Sequence, residues 1–195
     1  STAMAETLDP EVWTEIMNDA FARLIDAVER FDGTVTQLTG DGLLAIFGAP
    51  LAHEDDPERA VLAGLAMQEN LLPLRERLAR EQGLDFILRV GINTGLVVVG
   101  DVGSDRYQEL TAMGDTENLA SRLEQNARPG TVQISGSTYL RVAPLFDVAS
   151  LGSIQVKGRQ EPVQTYHVLG PKAKPGPRRG IAGLETPMIE TGLSA

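Results

Sequence analysis

The chain has 195 residues, 42% of them hydrophobic, with 27 Asp and Glu against 17 Lys and Arg and no cysteine. That length fits one domain with appendages, and the lack of cysteine excludes disulfides, thiolate metal sites and a cysteine nucleophile. A net charge of -10 opposes binding to the nucleic acid backbone, so a phosphate-bearing ligand needs a local positive site. No apolar run is long enough to span a bilayer, and the first residues do not resemble a signal peptide. The expected compartment is the cytoplasm, with no membrane and no nucleic acid as partner.

Asp9-Pro10-Glu11 predicts a helix start: a carboxylate cap, a proline at the first helical position and an acid in the first turn. Val12, Ile16, Ala20, Leu24 and Val28 then recur with a 3.6-residue period, until Asp32-Gly33 ends the helix. "TVTQLT" and "LLAIF" flank Gly40-Asp41-Gly42 as a β-hairpin, whose turn residues tolerate positive φ. Asp56 ahead of Pro57 repeats the helix-start pattern, and that helix continues or kinks at Pro73 until Gly83.

"DFILRVGINTG" and "LVVVGDVG" read as strands joined near Gly95, and "SDRYQ" as a polar connection projecting from the sheet. "ELTAMG" is a short strand, and Asp115 opens the helix "DTENLASRLEQNA", which Pro129-Gly130 stops. "TVQIS" predicts another strand, "STYLRVAPLF" a short helix and "VKGRQEPVQTYHVLG" a closing hairpin. This mixture predicts an α+β or α/β arrangement with helices packed on a sheet. From residue 171 to 195 the chain is rich in Pro and Gly, locally basic and without apolar periodicity, which reads as linker or tail.

Two features exceed the needs of such a fold. One is Asp41 in the hairpin turn. The other is Asn118 and Arg122, spaced i, i+4 so that an amide and a guanidinium project from one helix face. That pair suits an oxygen-rich anion, because arginine presents a rigid fork to phosphate. On spacing alone, a turn aspartate and a solvated polar face explain the same residues. His53 and His167 lack metal-ligand spacing and are expected in loop or strand-end positions.

The stretches "GDGLLAIFGAP", "AHEDDPERAVLAGLAM", "RVGINTGLVVVGDVGS", "AMGDTENLASRLE" and "VKGRQEPVQTYHVLG" change that balance. In this order they resemble the catalytic domain of the class III nucleotidyl cyclases, the adenylate and guanylate cyclases, over residues 1–170. The resemblance implies a ferredoxin-like βαββαβ core with additions. Two such domains pair head to tail as a homodimer, with sites at the interface built from both chains. The implied reaction is attack of the ribose 3′-hydroxyl of ATP on the α-phosphate, giving cyclic AMP and pyrophosphate with the help of Mg²⁺ or Mn²⁺. Asp41 matches a metal aspartate, Asn118 the asparagine that orients the ribose, and Arg122 the arginine that stabilises charge on the α-phosphate. Lys157 matches a lysine for the terminal phosphates, with Arg159 nearby, and Gln37 and Thr111 fall at the purine-selecting positions. Asp41 would serve one site, and the other residues of the same chain the second site.

The chain also departs from the family. "STAMAETLDPE" resembles the segment immediately after the family's first strand, where an Asp-x-x-Gly supplies the second metal aspartate and a phosphate loop. These 195 residues contain neither, and Asp9 reads as a helix cap. The expectation is a cyclase domain lacking its first strand, weak or inactive as given and active once such a strand is restored upstream. Adenylate cyclases usually carry lysine where Gln37 stands, with aspartate or threonine at the place of Thr111; guanylate cyclases tend to glutamate and cysteine. A glutamine amide can address either base edge, and Thr111 places ATP ahead of GTP. Glu117 occupies a commonly apolar position. "RGIAGLETPMI" resembles a linker into a C-terminal ATPase domain, which a longer parent protein would carry. The alternative function is a catalytically dead, cyclase-like dimerisation or regulatory module that binds nucleotide. A ferredoxin-like nucleic-acid binder is opposed by the charge and by the lack of an aromatic-basic sheet surface.

Overall fold

A computed structural model describes residues 8–101, 110–156 and 161–174, with 98–101 and 110–113 described by their backbone. In chain order the elements are α1 (Pro10–Arg30), β1 (Thr34–Leu38), β2 (Leu43–Ile46), α2 (Asp56–Gln82), β3 (Val90–Ile92) and β4 (Val98–Asp101). There follow β5 (Leu110–Met113), α3 (Asp115–Asn126), β6 (Val132–Ser135), α4 (Gly136–Val142), β7 (Phe146–Ile154) and β8 (Val163–Pro171). The strands pair as β1-β2, as β3-β6-β8-β7 and as β4-β5, all antiparallel except β3 with β6.

The signals at the start of α1 and the end of α2 act as their chemistry requires. Asp56, expected as the cap of α2, is instead its first residue and accepts the His53 N–H, and Asp55 before it makes no side-chain cap bond. Asp9 accepts the Glu11 N–H at 2.9 Å, satisfying a donor that the first turn leaves open. α2 runs unbroken through Pro73 and ends on Gly83 at φ +67°, with the Leu84 N–H returning to the Leu78 carbonyl at 3.2 Å. Ile16, Ala20, Leu24 and Val28 of α1 pack against Met67, Leu71, Leu74 and Leu78 of α2, and Val35, Leu43, Ala45 and Val90 close over them. Each fully buried leucine here contributes about 1.5–3 kcal/mol.

The four-stranded sheet is covered on both faces. Val61 of α2 meets Val132, Ile134, Phe146 and Val168 on one face. On the other, α3 rests on Gly91, where a Cβ would overlap the backbone of Ala120 and Glu124. Among the described residues β2 bonds only to β1 and β3 only to β6, although both sheets pack on the same helical layer.

Three further expectations need correcting. The strand expected from Asp85 pairs only at Val90–Ile92. Leu84, Phe86 and Leu88 do alternate inward, but alternation marks a buried face and does not by itself create a ladder partner. The closing hairpin is β7 with β8, so its first strand lies upstream of "VKG" and incorporates "FDVASLGSI". The short helix ends at Val142, ahead of Pro144. "SDRYQ" lies outside the described residues.

Candidate functional site

The hairpin loop around Asp41 is closed at Thr39. The Thr39 N–H and hydroxyl both donate to the Gly42 carbonyl, at 2.8 and 3.1 Å, and close the loop. Neither Gly40, Asp41 nor Gly42 takes a positive φ, so the expected conformational reason for aspartate does not operate. Asp41 is exposed. A hard oxygen donor suits Mg²⁺ or Mn²⁺, which keep waters and phosphate oxygens as their remaining ligands. Among the described residues no group of three or more His, Asp or Glu is arranged to hold a metal. Any metal at Asp41 would therefore draw on ligands beyond this described set.

Asn118 and Arg122 are both exposed on α3, one turn apart as the spacing predicts. Arg122 Nη1 donates to Gln125 Oε1 at 2.9 Å, and no carboxylate pairs with the guanidinium among the described residues. The opposite side of the helix is fixed. Leu119 and Leu123 are 2% and 0% exposed and pack with Val156, while Ala120 and Glu124 lie on Gly91.

Burial raises the Glu124 carboxyl above its ordinary range; Arg89 opposes this and Asp41 adds to it. Arg122 stands two residues before Glu124, about 200° round the helix. The structure brings Asn118 and Arg122 together, one turn apart and exposed on α3.

Gln37 is exposed where a bulge between Val35 and Gln37 shifts the register of β1. Thr111 pairs with Gly100 through its backbone, on a strand lying against β1; its side chain is outside the described residues, as are Lys157 and Arg159. Glu117 is half-buried. His53 lies in the loop before α2, with its backbone N–H 2.7 Å from Asp56 Oδ2. His167 is mid-strand in β8, opposite Gln133, not at a strand end. Burial and then Arg128 lower its pKa.

Sequence reasoning overlooked Glu124 and Asn93. The Asn93 side chain joins α3 to the start of α4, and its position in "GINTG" on a strand exit was the available signal.

The pattern of the adenylate and guanylate cyclase catalytic domain matches residues 1–170. Adenylate cyclase 1 of Rhizobium meliloti (strain 1021) is 36% identical over 172 residues, which cover 87% of this chain and 26% of that protein. The chain spans well under half the length of the curated relatives it matches. Among solved structures, the adenylyl cyclase CyaB from P. aeruginosa aligns with a TM-score of 0.82 at 31% identity, over 90% of this chain and 91% of that one. The guanylyl cyclase Cya2 aligns at 0.78 and 32%, over 88% and 87%.

Proposed function

The chain belongs to the adenylate and guanylate cyclase catalytic domain family, and we propose that it forms cyclic AMP and pyrophosphate from ATP at an interface between two copies. The observation that carries this reading is the exposed pair Asn118 and Arg122, one turn apart on α3, with no carboxylate on the guanidinium among the described residues. In this reading Asp41 serves one site and Asn118 with Arg122 the other, and a head-to-tail partner completes each.

In the completed site the O3′–Pα bond forms, the bond from Pα to the bridging oxygen breaks, and the hydroxyl proton leaves to solvent. Asn118 holds the ribose so that O3′ faces the α-phosphorus, a gain of orientation. Arg122 meets charge developing on the α-phosphate oxygens; no carboxylate holds it within the described residues, and the guanidinium donates to the neutral Gln125 amide. Asp41 would hold a Mg²⁺ or Mn²⁺ ion, which when bound neutralises triphosphate charge and acidifies the hydroxyl. Lys157 and Arg159 take the terminal phosphates, and Gln37 with Thr111 reads the purine edge.

The test is cyclic nucleotide formation by the purified chain with Mn²⁺ and either ATP or GTP. Cyclic AMP that disappears in Arg122→Ala supports the reading. Tight ATP binding without product, in this chain and in one extended upstream, overturns it in favour of a nucleotide-binding dimerisation module. That second reading draws on the absence of a three-residue metal cluster among the described residues.

A further inference from the structure

α3 begins without a cap of its own. Gly114, at φ 145°, precedes it and supplies no side-chain hydrogen bond, and the first backbone bond, from the Asn118 N–H to the Gly114 carbonyl, is a long 3.3 Å. A turn of this kind frays unless contacts outside it hold it in place. Here the outside hold falls on the Thr116 carbonyl and hydroxyl, not on the open N–H groups. The Asn93 Nδ2 donates to the Thr116 carbonyl at 3.0 Å, and the Thr116 hydroxyl donates to the Leu96 carbonyl at 2.6 Å. Between these bonds, a Cβ on Gly95 would come within 2.5 Å of the Thr116 hydroxyl, so the exit of β3 and the first turn of α3 are in direct contact.

Asn93 is held from its other end. Its Oδ1 accepts from the Ser137 hydroxyl at 3.1 Å, which also lies 2.9 Å from the Thr94 carbonyl. The Ser135 and Ser137 hydroxyls are 2.8 Å apart, and the Thr94 and Thr138 hydroxyls 2.9 Å. Ser135 and Thr138 are 1% and 0% exposed, so this hydroxyl cluster is a fixed base. The amide can face only one way, because a reversed Asn93 would set its oxygen against the Thr116 carbonyl.

We propose that Asn93 is a positioning residue, whose carboxamide ties the first turn of α3 to the hydroxyl cluster of α4 and so sets Asn118. The role rests on the cyclase reading of Asn118 and Arg122. The lever is short: Asn118 lies about 3 Å along the axis from Thr116, and Arg122 about 9 Å. Arg122 stands beside Leu123 and the Gly91 contact, in the half of α3 fixed by packing, whereas Asn118 is held by the clasp and, from one side, by Leu119. A reacting geometry tolerates only about 0.5 Å of drift, so loss of the clasp falls on ribose orientation and not on phosphate binding.

Asn93→Asp keeps the acceptor for Ser137 and removes the donor to Thr116; Asn93→Leu removes both at similar volume. Amide hydrogen exchange, the urea unfolding midpoint and ATP cyclisation with Mn²⁺ would be measured for each. The amides of Asn118, Leu119 and Ala120 should exchange about tenfold faster, with those of Leu123 and β6 unchanged. Turnover should fall about 10- to 100-fold with KM held within about threefold, and in an Asn118→Ala background the same substitution should cost less than about twofold. Unchanged exchange in the first turn overturns the inference, as does an equal loss of protection across the sheet with a lowered midpoint, or an undiminished turnover loss in the Asn118→Ala background. If the unmodified chain makes no cyclic nucleotide, the cyclase reading falls by itself, and the exchange comparison still decides whether Asn93 clasps α3.

Discussion

Two inactive variants should restore each other when mixed. Arg122→Ala removes the guanidinium from the outer face of α3, and Asp41→Asn removes the carboxylate from the hairpin turn. Each alone is expected to lower cyclic AMP formation about 100-fold or more, the usual cost of a lost charge-stabilising group. The proposed head-to-tail pairing decides what the mixture does, because in it the Asp41 and Arg122 that work together belong to different chains. A mixed pair then has one site missing both groups and one site with both intact. Random association of equal amounts makes about half of the pairs mixed, and each has one good site of two, so activity should recover to about a quarter of the unmodified protein. The assay is cyclic AMP formation with Mn²⁺ after denaturing and refolding the two variants together, with each refolded alone as control. A mixture no more active than the mean of its components would refute the divided site.

The remaining predictions concern titration, the core and the base pocket. Glu124 is held protonated to higher pH in the folded chain than in the unfolded one, so its ionisation costs stability as pH rises above the ordinary carboxylate range. His167, with its pKa lowered, contributes stability that is present above the ordinary imidazole range and lost as pH falls through the folded value. The two slopes oppose each other, so in urea midpoints across mildly acidic pH Glu124→Gln should steepen the loss on acidification and His167→Asn should flatten it. Gln133 is 1% exposed and neither side-chain polar atom has a partner among the described residues; Gln133→Leu should raise unfolding stability by about 1–2 kcal/mol in urea titrations, and a loss of that size would mean the amide is satisfied. Gln37→Lys should shift the ATP-to-GTP ratio of kcat/KM toward ATP by about tenfold or more and Gln37→Glu toward GTP, since lysine only donates and glutamate only accepts. Unmoved ratios would remove Gln37 from the base pocket.

What the sequence disclosed, and what it did not, follows the range of the interactions. α1, α2 and the first hairpin were legible because the Asp9 cap, the apolar period and the flanking strand-like runs act within a few positions. β7 was not: "FDVASLGSI" exposes Ser150, Leu151, Gly152 and Ser153 and is interrupted by register shifts at Asp147/Val148 and Ser150/Gly152, so no clean alternation survives. The i, i+4 spacing of Asn118 and Arg122 was visible, but not the contact of α3 with Gly91, because that depends on how the helix packs on the sheet. Asn93 was opaque for the same reason, since its partners Thr116 and Ser137 are 23 and 44 residues away.

The proposed division of the site would account for the two unlike faces of α3. Its inner side is close-packed on a glycine, a contact that leaves no room for rotation. Its outer side carries a guanidinium with no carboxylate partner among the described residues, in a chain of net charge -10. Leaving that cation open costs little while it faces water, and it gains value when a partner covers it and lowers the local dielectric. Two chains of this charge repel as they pair, and a triphosphate adds to the repulsion unless Arg122, the other proposed cations and a bound divalent ion offset it. A ligand that binds only the completed site must favour the pair by the same free energy with which pairing favours the ligand. In the proposed dimer, nucleotide and metal are thus part of what holds the interface together, and assembly and substrate binding are one equilibrium.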